Sequence, residues 1–190
     1  MNNINKYIDF YESKLKEAAF YANKKEMGFV RSTMKESVEG LLDLIWTTET
    51  NGTSKKNDFI DCHSKSGCKL KFQVDRHLYL NNELLSIGEC KAYLDRCFME
   101  RASSDFGRII RGLETRPVSF ILALEDAVGK DAYTFYMDEG NIDHVFYLCD
   151  GKRSPLKPIW KQKFYKPINE NKLEDFIKFI HTNLIINDTK

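Results

Sequence analysis

The amino-acid sequence predicts an α/β (α+β) fold in which a central mixed β-sheet is flanked by helices. Apolar residues recur at helical spacing near both ends of the 190-residue chain, while the middle contains segments with the spacing of β-strands. Such a succession is typical of layered folds with one sheet at the centre. The length suits one domain, so we expect a single domain over 1–190, with a helical part over 1–50, a core over 69–124 and a basic segment over 150–168.

Two amphipathic helices are predicted in the N-terminal part. They cover 4–21 and 30–45, because apolar residues recur three and four positions apart in both. Four charged residues of the second helix lie off its apolar stripe and are interpreted as a solvated face: Lys35, Glu36, Glu39 and Asp43. The polar segment 51–58 that follows is interpreted as a loop.

The middle of the chain contains three predicted strands. Apolar and polar side chains alternate over 69–75, and the more apolar segment 84–91 follows a turn at Asn81 and Asn82. We therefore expect these two segments to pair as a hairpin. A continuous apolar run over 118–124 predicts a central strand that is covered on both faces.

Further elements are predicted on both sides of this central strand. A helix from Phe98 to Leu113 precedes it, and a terminal helix covers 172–186. Segments 133–137 and 144–149 are separated by turn-forming residues, so we expect a second hairpin there.

Composition narrows the function only slightly. The formal net charge of +1 gives no bulk attraction to nucleic acid. The chain begins without the apolar run of a signal peptide and has no long apolar segment, so we expect a soluble cytoplasmic protein without a membrane partner. The five cysteines are interpreted as free thiols. Cys62, His63 and Cys68 lie close enough to suggest zinc, but no further cysteine pair completes a ligand set.

Three ionisable residues of the first predicted hairpin form the most informative pattern. Glu89 and Lys91 project from one face of a strand, where Asp75 of the neighbouring strand can approach them. Hard divalent cations such as Mg²⁺ prefer oxygen ligands, which Asp75, Glu89 and the main-chain carbonyl of Cys90 can supply. A metal held there would promote attack on a phosphodiester, with Lys91 positioning or activating the nucleophile.

The pattern Val74-Asp75 followed by Glu89-Cys90-Lys91 resembles that of the PD-(D/E)xK nuclease superfamily, with Val74 in the place of the usual proline. The order of elements over 70–124, a hairpin that carries the motif, then a helix and an apolar strand, is also similar to type II restriction endonucleases of this superfamily. The resemblance implies a restriction-endonuclease-like fold, Mg²⁺ as the cofactor, and sequence-specific hydrolysis of double-stranded DNA.

The same resemblance makes Asp75, Glu89 and Lys91 the catalytic residues. Some members of the superfamily place an additional carboxylate from an early helix beside the metal. Glu39 is the candidate for that place and Glu36 its rival, while a solvated surface position is the competing interpretation of both.

Two other functions are compatible with these residues. A DNA-repair or resolvase nuclease would share the catalytic residues but recognise DNA structure instead of sequence. A non-catalytic nucleic-acid-binding or protein-binding domain would use the acidic pair structurally. Other enzyme classes fit poorly, because the sequence lacks a phosphate-binding loop, a hydrolase nucleophile elbow and a paired-histidine metal helix.

Two segments are candidates for DNA contacts. Arginine can pair with guanine and glutamate can accept from cytosine, so the helix after the motif offers Glu100, Arg101, Ser103, Ser104 and Arg108. The only strongly basic stretch, 152–166, offers phosphate contacts through Lys152, Arg153, Lys157, Lys161 and Lys163, with Pro155 and Pro158 favouring an extended clamp. An exposed helix face and a basic linker packed by Trp160 are the alternatives.

The expected assembly follows from the substrate. Cleavage of both strands of a palindromic site predicts a two-fold homodimer, since one active site serves each strand. A heterodimer subunit that nicks one strand of an asymmetric site is also compatible with the sequence.

Overall fold

The computed structural model of the protein describes residues 3–64, 66–154, 156–158 and 161–185, without the side chains of Lys130 and Asp131. Its α-helices are α1 (Ile4–Asn23), α2 (Met27–Thr50), α3 (Arg96–Gly112), α4 (Lys130–Asp138) and α5 (Glu170–Phe179). Its strands are β1 (Thr53–Lys56), β2 (Phe59–His63), β3 (Lys69–Gln73), β4 (Arg76–Leu80), β5 (Glu83–Leu94), β6 (Val118–Asp126) and β7 (His144–Tyr147). A 3₁₀ turn covers Gln162–Phe164 and a π-helical segment covers Ile180–Ile185.

A five-stranded mixed sheet in the order β1-β4-β5-β6-β7 lies at the centre of the fold. The strands β1, β4 and β5 are antiparallel neighbours, whereas β5, β6 and β7 run parallel. Parallel neighbours need a crossover connection, which α3 provides between β5 and β6 and α4 provides between β6 and β7. The strands β2 and β3 pair only with each other and form a separate two-stranded ribbon.

Helices cover both faces of the sheet, as predicted. On β6, Phe120 and Leu122 pack among residues of α1, α2 and α5, while Ile121 and Ala123 pack among residues of α3 and α4. All four side chains are fully buried. Burying a large apolar side chain contributes roughly 2 kcal/mol, so both faces of this strand stabilise the fold. The central strand predicted from the continuous apolar run is confirmed.

The hairpin that carries the candidate site differs from the predicted one. Residues 69–75 do not pair with 84–91, because β3 pairs with β2 and β4 takes the expected place beside β5. Asn81 and Asn82 do form the turn, with φ angles of 52° and 69°, a left-handed geometry that asparagine tolerates. A period of two identifies a strand but not its partner, and β3 is mostly exposed instead of half-buried.

Two other segments differ from their predicted secondary structure. Residues 133–137 lie in α4 and not in a strand, because Tyr133, Tyr136 and Met137 pack on the sheet at helical spacing. The strand β7 consequently pairs with β6 in parallel and is not half of a hairpin. The predicted loop over 51–58 contains β1, a polar edge strand that is held by backbone pairing to β4.

The predicted helices at both ends of the chain and after the motif are confirmed, with limits that differ by a few residues and with a π-helical segment over Ile180–Ile185. The C-terminal helix begins at Glu170. The preceding residue, Asn169, caps it, because its side chain accepts a 3.2 Å hydrogen bond from the backbone N–H of Lys172. Its predicted end at Ile186 lies outside the described residues. None of the helices within the described ranges combines the length and apolarity needed to span a bilayer.

Candidate active site

The candidate site lies at the end of the sheet where β4 begins beside β5. Arg76, the first residue of β4, pairs with Gly88, so the preceding residue Asp75 lies level with Glu89. Glu89 and Lys91 are two residues apart on β5 and project from the same face. The strand register therefore brings the three predicted catalytic side chains together.

Lys91 contacts both carboxylates. Its Nζ lies 2.8 Å from Asp75 Oδ2 and also contacts Glu89 Oε2. Asp75 Oδ2 accepts a further 3.0 Å hydrogen bond from the backbone N–H of Cys90. The N–H and C=O of one residue in a strand point to the same side, so the Cys90 carbonyl also points to the side of β5 on which Asp75 lies. Two carboxylates and one main-chain carbonyl, all oxygen donors that suit a hard divalent cation, therefore lie on this side of β5.

The two carboxyl groups have opposite pKa shifts. Burial raises the pKa of Glu89 above its usual range, and the Asp75 carboxylate adds to this rise against the opposing charge of Lys91. Burial also acts to raise the pKa of Asp75, but the charge of Lys91 and hydrogen bonds from Glu89 and Lys35 hold it well below its usual range. Asp75 is therefore the more strongly ionised member of the pair, as expected for two close carboxyls.

A second lysine, which the sequence pattern did not indicate, contacts Asp75 from α2. Lys35 Nζ lies 2.8 Å from Asp75 Oδ1 and 3.1 Å from Glu39 Oε1. Each oxygen of Asp75 therefore faces an ammonium group. The sequence indicates this lysine only through its spacing of four residues from Glu39, which on a helix usually marks an ordinary ion pair at the surface. Only the packing of α2 beside the start of β4 brings Lys35 to the site.

Glu39 is buried, so the interpretation of a solvated surface position is wrong for this residue. Only 2% of its side chain is exposed, and its carboxylate pairs with Lys35, with Lys56 at 2.8 Å and with Arg76 at 3.4 Å. These cations offset the cost of burying a negative charge. Lys35 lies between Glu39 and Asp75 and contacts both carboxylates. Glu39 is therefore connected to the site through Lys35.

The other two acidic residues on the polar face of α2 are engaged elsewhere. Glu36 accepts a 2.8 Å hydrogen bond from the Ser32 hydroxyl at the surface of its own helix. Asp43 accepts from Arg76 Nε at 2.7 Å and from Nη2 at 2.9 Å. Between Glu36 and Glu39, the structure therefore places Glu39 nearer to the contacts of Asp75.

The carboxylates line a cleft of about 380 Å³ between the ribbon and α3. Its other lining residues include Asn57, Gln73, Arg101 and Asp105. A second cleft of about 700 Å³ shares Lys35, Lys91 and Phe98 with the first and extends to Arg31 and Arg153. These two clefts, together called the groove below, present several cationic side chains beside the carboxylate pair.

The chain is similar to a type II restriction enzyme. It is 26% identical over 125 residues to the Type II restriction enzyme DdeI of Desulfomicrobium norvegicum (strain DSM 1741 / NCIMB 8310), in a match that covers 58% of this chain. The match covers 52% of that protein, so the chain spans about half the length of this curated relative. No family model matches the chain. The similarity supports the resemblance to restriction endonucleases that the motif and its context indicated.

The helix after the motif presents only part of its predicted DNA-contact face. Ser103 is 2% exposed and donates a 2.7 Å hydrogen bond to Glu139, so the prediction that it faces a DNA groove is wrong. The other predicted contacts on α3 are exposed: Glu100, Arg101, Ser104 and Arg108. Of these, Arg101 lines the groove.

In the basic segment, Arg153 packs against the rest of the protein, whereas the predicted lysine contacts are exposed. Arg153 donates to Glu125 at 2.8 Å and its guanidinium lies over the ring of Tyr93, so it packs against the end of the sheet. The remaining predicted phosphate contacts are exposed: Lys152, Lys157, Lys161 and Lys163. Pro155 and Trp160, on which the clamp and linker interpretations depended, lie outside the described residues.

The Cys62, His63 and Cys68 group does not form a metal site. Over the described ranges, no group of three or more His, Cys, Asp or Glu side chains is arranged to hold a metal ion. Cys62 is buried with its thiol 3.9 Å from the Ile109 carbonyl, whereas Cys68 is exposed. All five cysteines are free thiols, as expected.

Proposed function

We propose that this protein is a Mg²⁺-dependent endonuclease that cuts double-stranded DNA at specific sequences, as a type II restriction enzyme. The observation that carries this proposal is the contact of Lys91 with both Asp75 and Glu89 on the wall of a cationic groove. The similarity to a type II restriction enzyme supports the same class of reaction.

The donor set suits Mg²⁺. Asp75, Glu89 and the Cys90 carbonyl would hold the ion, and no third acidic, histidine or cysteine side chain joins them in the part of the chain that is described. A hard cation with few protein ligands completes its shell with water and a phosphate oxygen, as at many phosphoryl-transfer sites. When bound, the ion supplies positive charge beside the phosphate and increases the acidity of water.

Lys91 acts as a positioning cation in this scheme. Burial opposes its charge, but Glu89 and Asp75 outweigh that effect and raise the pKa of the ammonium group. Its ammonium group would orient the attacking water by donating to it, and it would offset negative charge that develops on the phosphate.

Cations along the groove would hold the DNA backbone. Lys35 and Arg31 both line the groove. Such side chains contribute affinity and orientation without reading sequence. Arg101, which is exposed at the same groove, is the candidate for contact with a base, because arginine can donate two hydrogen bonds to guanine.

A two-fold homodimer would let one such site serve each strand of a palindromic sequence. A heterodimer would instead cut the two strands with different subunits. The two assemblies predict different products for the purified chain, since the homodimer makes double-strand breaks alone and the heterodimer subunit only nicks.

The decisive experiment is digestion of a long duplex of mixed sequence with the purified protein and Mg²⁺, followed by sequencing of the ends. We expect discrete fragments that share one end sequence. The variants Glu89→Gln and Lys91→Met should each lower the cleavage rate at least about a hundredfold and still bind the duplex in Ca²⁺.

Three results would count against the proposal. Cleavage restricted to branched DNA would indicate a repair or resolvase nuclease. Binding without cleavage in Mg²⁺ and Mn²⁺ would indicate a non-catalytic domain. Unchanged cleavage in both variants, with the exposed Glu114→Gln variant as the matched control, would place the chemistry elsewhere.

A further inference from the structure

We propose that Lys35 is a placeholder cation for Asp75: it neutralises this carboxylate before a divalent cation binds, and on binding it is released to a DNA phosphate in the groove. The inference rests on the proposed function, since it assumes the metal site at Asp75 and Glu89. It adds a positioning residue that neither the motif nor its neighbours in sequence indicate.

The contacts of Asp75 favour a release step. Its Oδ1 lies 2.8 Å from Lys35 Nζ and its Oδ2 lies 2.8 Å from Lys91 Nζ. Only 10% of the Asp75 side chain is exposed, and a buried charge without a partner is strongly destabilising. The two ammonium groups, one on each oxygen, keep the Asp75 charge paired. A divalent cation on the same carboxylate would repel both ammonium groups at short range, and the departure of one of them would lower this repulsion.

Lys91 is the less mobile of the two lysines. Its side chain is 17% exposed, it also contacts Glu89, and its ammonium lies 5.7 Å from the centre of the Phe98 ring. The Lys35 side chain is 42% exposed and reaches the site from the surface of α2. Release of Lys35 exposes an ammonium group to water, whereas release of Lys91 would break a buried network. Lys35 is therefore the group that leaves.

The surroundings of Lys35 tolerate its departure. Glu39 would lose the 3.1 Å contact with Lys35 but would keep Lys56 at 2.8 Å and Arg76 at 3.4 Å. Lys35 lines both clefts of the groove, so its long side chain stays within the path proposed for the DNA. A lysine ammonium suits a phosphate there as a mobile point charge.

Calorimetric titration of the full chain with Mg²⁺ alone and with Mn²⁺ alone tests the first half of the inference. The variant Lys35→Gln removes the competing charge and should tighten metal binding by about fivefold to tenfold. Lys35→Met should act in the same direction. Thermal unfolding gives a second readout, because the rise in Tm on adding Mn²⁺ should be larger in both variants than in the parent.

Binding of a duplex oligonucleotide in Ca²⁺ over a series of salt concentrations tests the second half. Lys35→Gln should bind more weakly and lower the slope of log K against log salt by about 1, the loss expected for one phosphate contact. The same substitution thus strengthens metal binding and weakens DNA binding. A purely structural lysine would not produce these opposite changes.

Two variants provide matched controls. Lys56→Gln removes the same charge from Glu39 without contacting Asp75 and should change metal affinity by no more than about twofold. Lys35→Arg keeps the charge and should stay near the parent in both assays.

Weaker or unchanged metal binding in Lys35→Gln and Lys35→Met would overturn the inference, as would an equal gain in Lys56→Gln. If the parent binds metal and Asp75→Asn abolishes the binding, a failure of the Lys35 variants to bind metal more tightly would contradict only the role of Lys35 and leave the proposed function intact. If the parent binds neither Mg²⁺ nor Mn²⁺, the proposed function and the inference fall together.

Discussion

His77 is fully buried on β4, and within the described ranges neither of its ring nitrogens has a hydrogen-bond partner. Burial lowers the pKa of this imidazole, and the nearby charge of Lys55 lowers it further against the opposing charge of Asp58. The unfolded chain therefore takes up the proton at a higher pH than the folded protein. Stability should fall as the pH drops through the unfolded value of about 6.5 and should stop falling below the folded pKa.

The substitution His77→Phe should remove this pH dependence. Replacing an unsatisfied buried polar group by an apolar one of similar shape should leave stability at pH 7 unchanged or raise it by roughly 1 kcal/mol. Urea unfolding of parent and variant between pH 5 and pH 8 measures both effects. The variant His63→Gln, on the exposed face of the ribbon, should keep the parent's slope. An unaltered slope in His77→Phe would show that other groups cause it.

At the scale of single elements, the turn between β4 and β5 and a shift of register within this hairpin together position Asp75 against Glu89. Both central residues have positive φ, 52° at Asn81 and 69° at Asn82. This geometry matches the right-handed twist of paired strands, and a slip by one residue would turn Glu89 and Lys91 to the other face of the sheet. The turn fixes the pairing of Leu80 with Glu83 and of Tyr79 with Leu84, and a shift of register between Leu78 and Tyr79 then brings Asp75 level with Glu89.

Substitutions at Asn82 should follow the cost of its left-handed conformation. Asn82→Gly should stabilise the fold by roughly 0.5 kcal/mol, whereas Asn82→Val should destabilise it by about 1–2 kcal/mol. Urea unfolding with an unchanged m-value is the measurement. Glu83→Val, an exposed substitution at the adjoining extended residue, should have a smaller effect. Equal costs at the two positions would indicate that the turn geometry is not limiting.

At the scale of the whole molecule, Glu125 connects the end of the central sheet to the C-terminal part of the chain. Its two carboxylate oxygens pair with Arg153 at 2.8 Å and with Lys166 at 2.6 Å. The Glu125 side chain is 11% exposed, so solvent screens these contacts only weakly. The pairs hold the basic segment beside the groove that we propose for DNA.

The variant Glu125→Gln should destabilise the protein by roughly 2 kcal/mol, because two charged hydrogen-bond donors lose an anionic partner. It should also raise amide hydrogen exchange over 150–154 and 161–166 more than over α2. Exposed Glu114→Gln is the matched control for loss of one carboxylate. A uniform rise in exchange across the chain would mean that Glu125 stabilises the fold globally without ordering this segment.

Much of the candidate site could be predicted because its chemistry is local in sequence. Glu89 and Lys91 share a face through the two-residue period of a strand, and a short turn returns the chain from the vicinity of Asp75. The partner strand could not be predicted in the same way. The alternating pattern over 69–75 describes a strand of the ribbon, while β4 pairs with β5 through backbone groups that every residue carries.

The sequence by itself determined most of the helices, the central buried strand, and the shared face of Glu89 and Lys91, since these follow from periodicity. The alignment of Asp75 with them depends on the shift of register within the hairpin. Only the tertiary structure decided that Lys35 contacts Asp75, that Glu39 is buried and that Ser103 is withdrawn from the surface. Each of these depends on how one helix packs against the sheet or its neighbours. Packing geometry arises from long-range contacts, which the spacing of residues within one element does not encode.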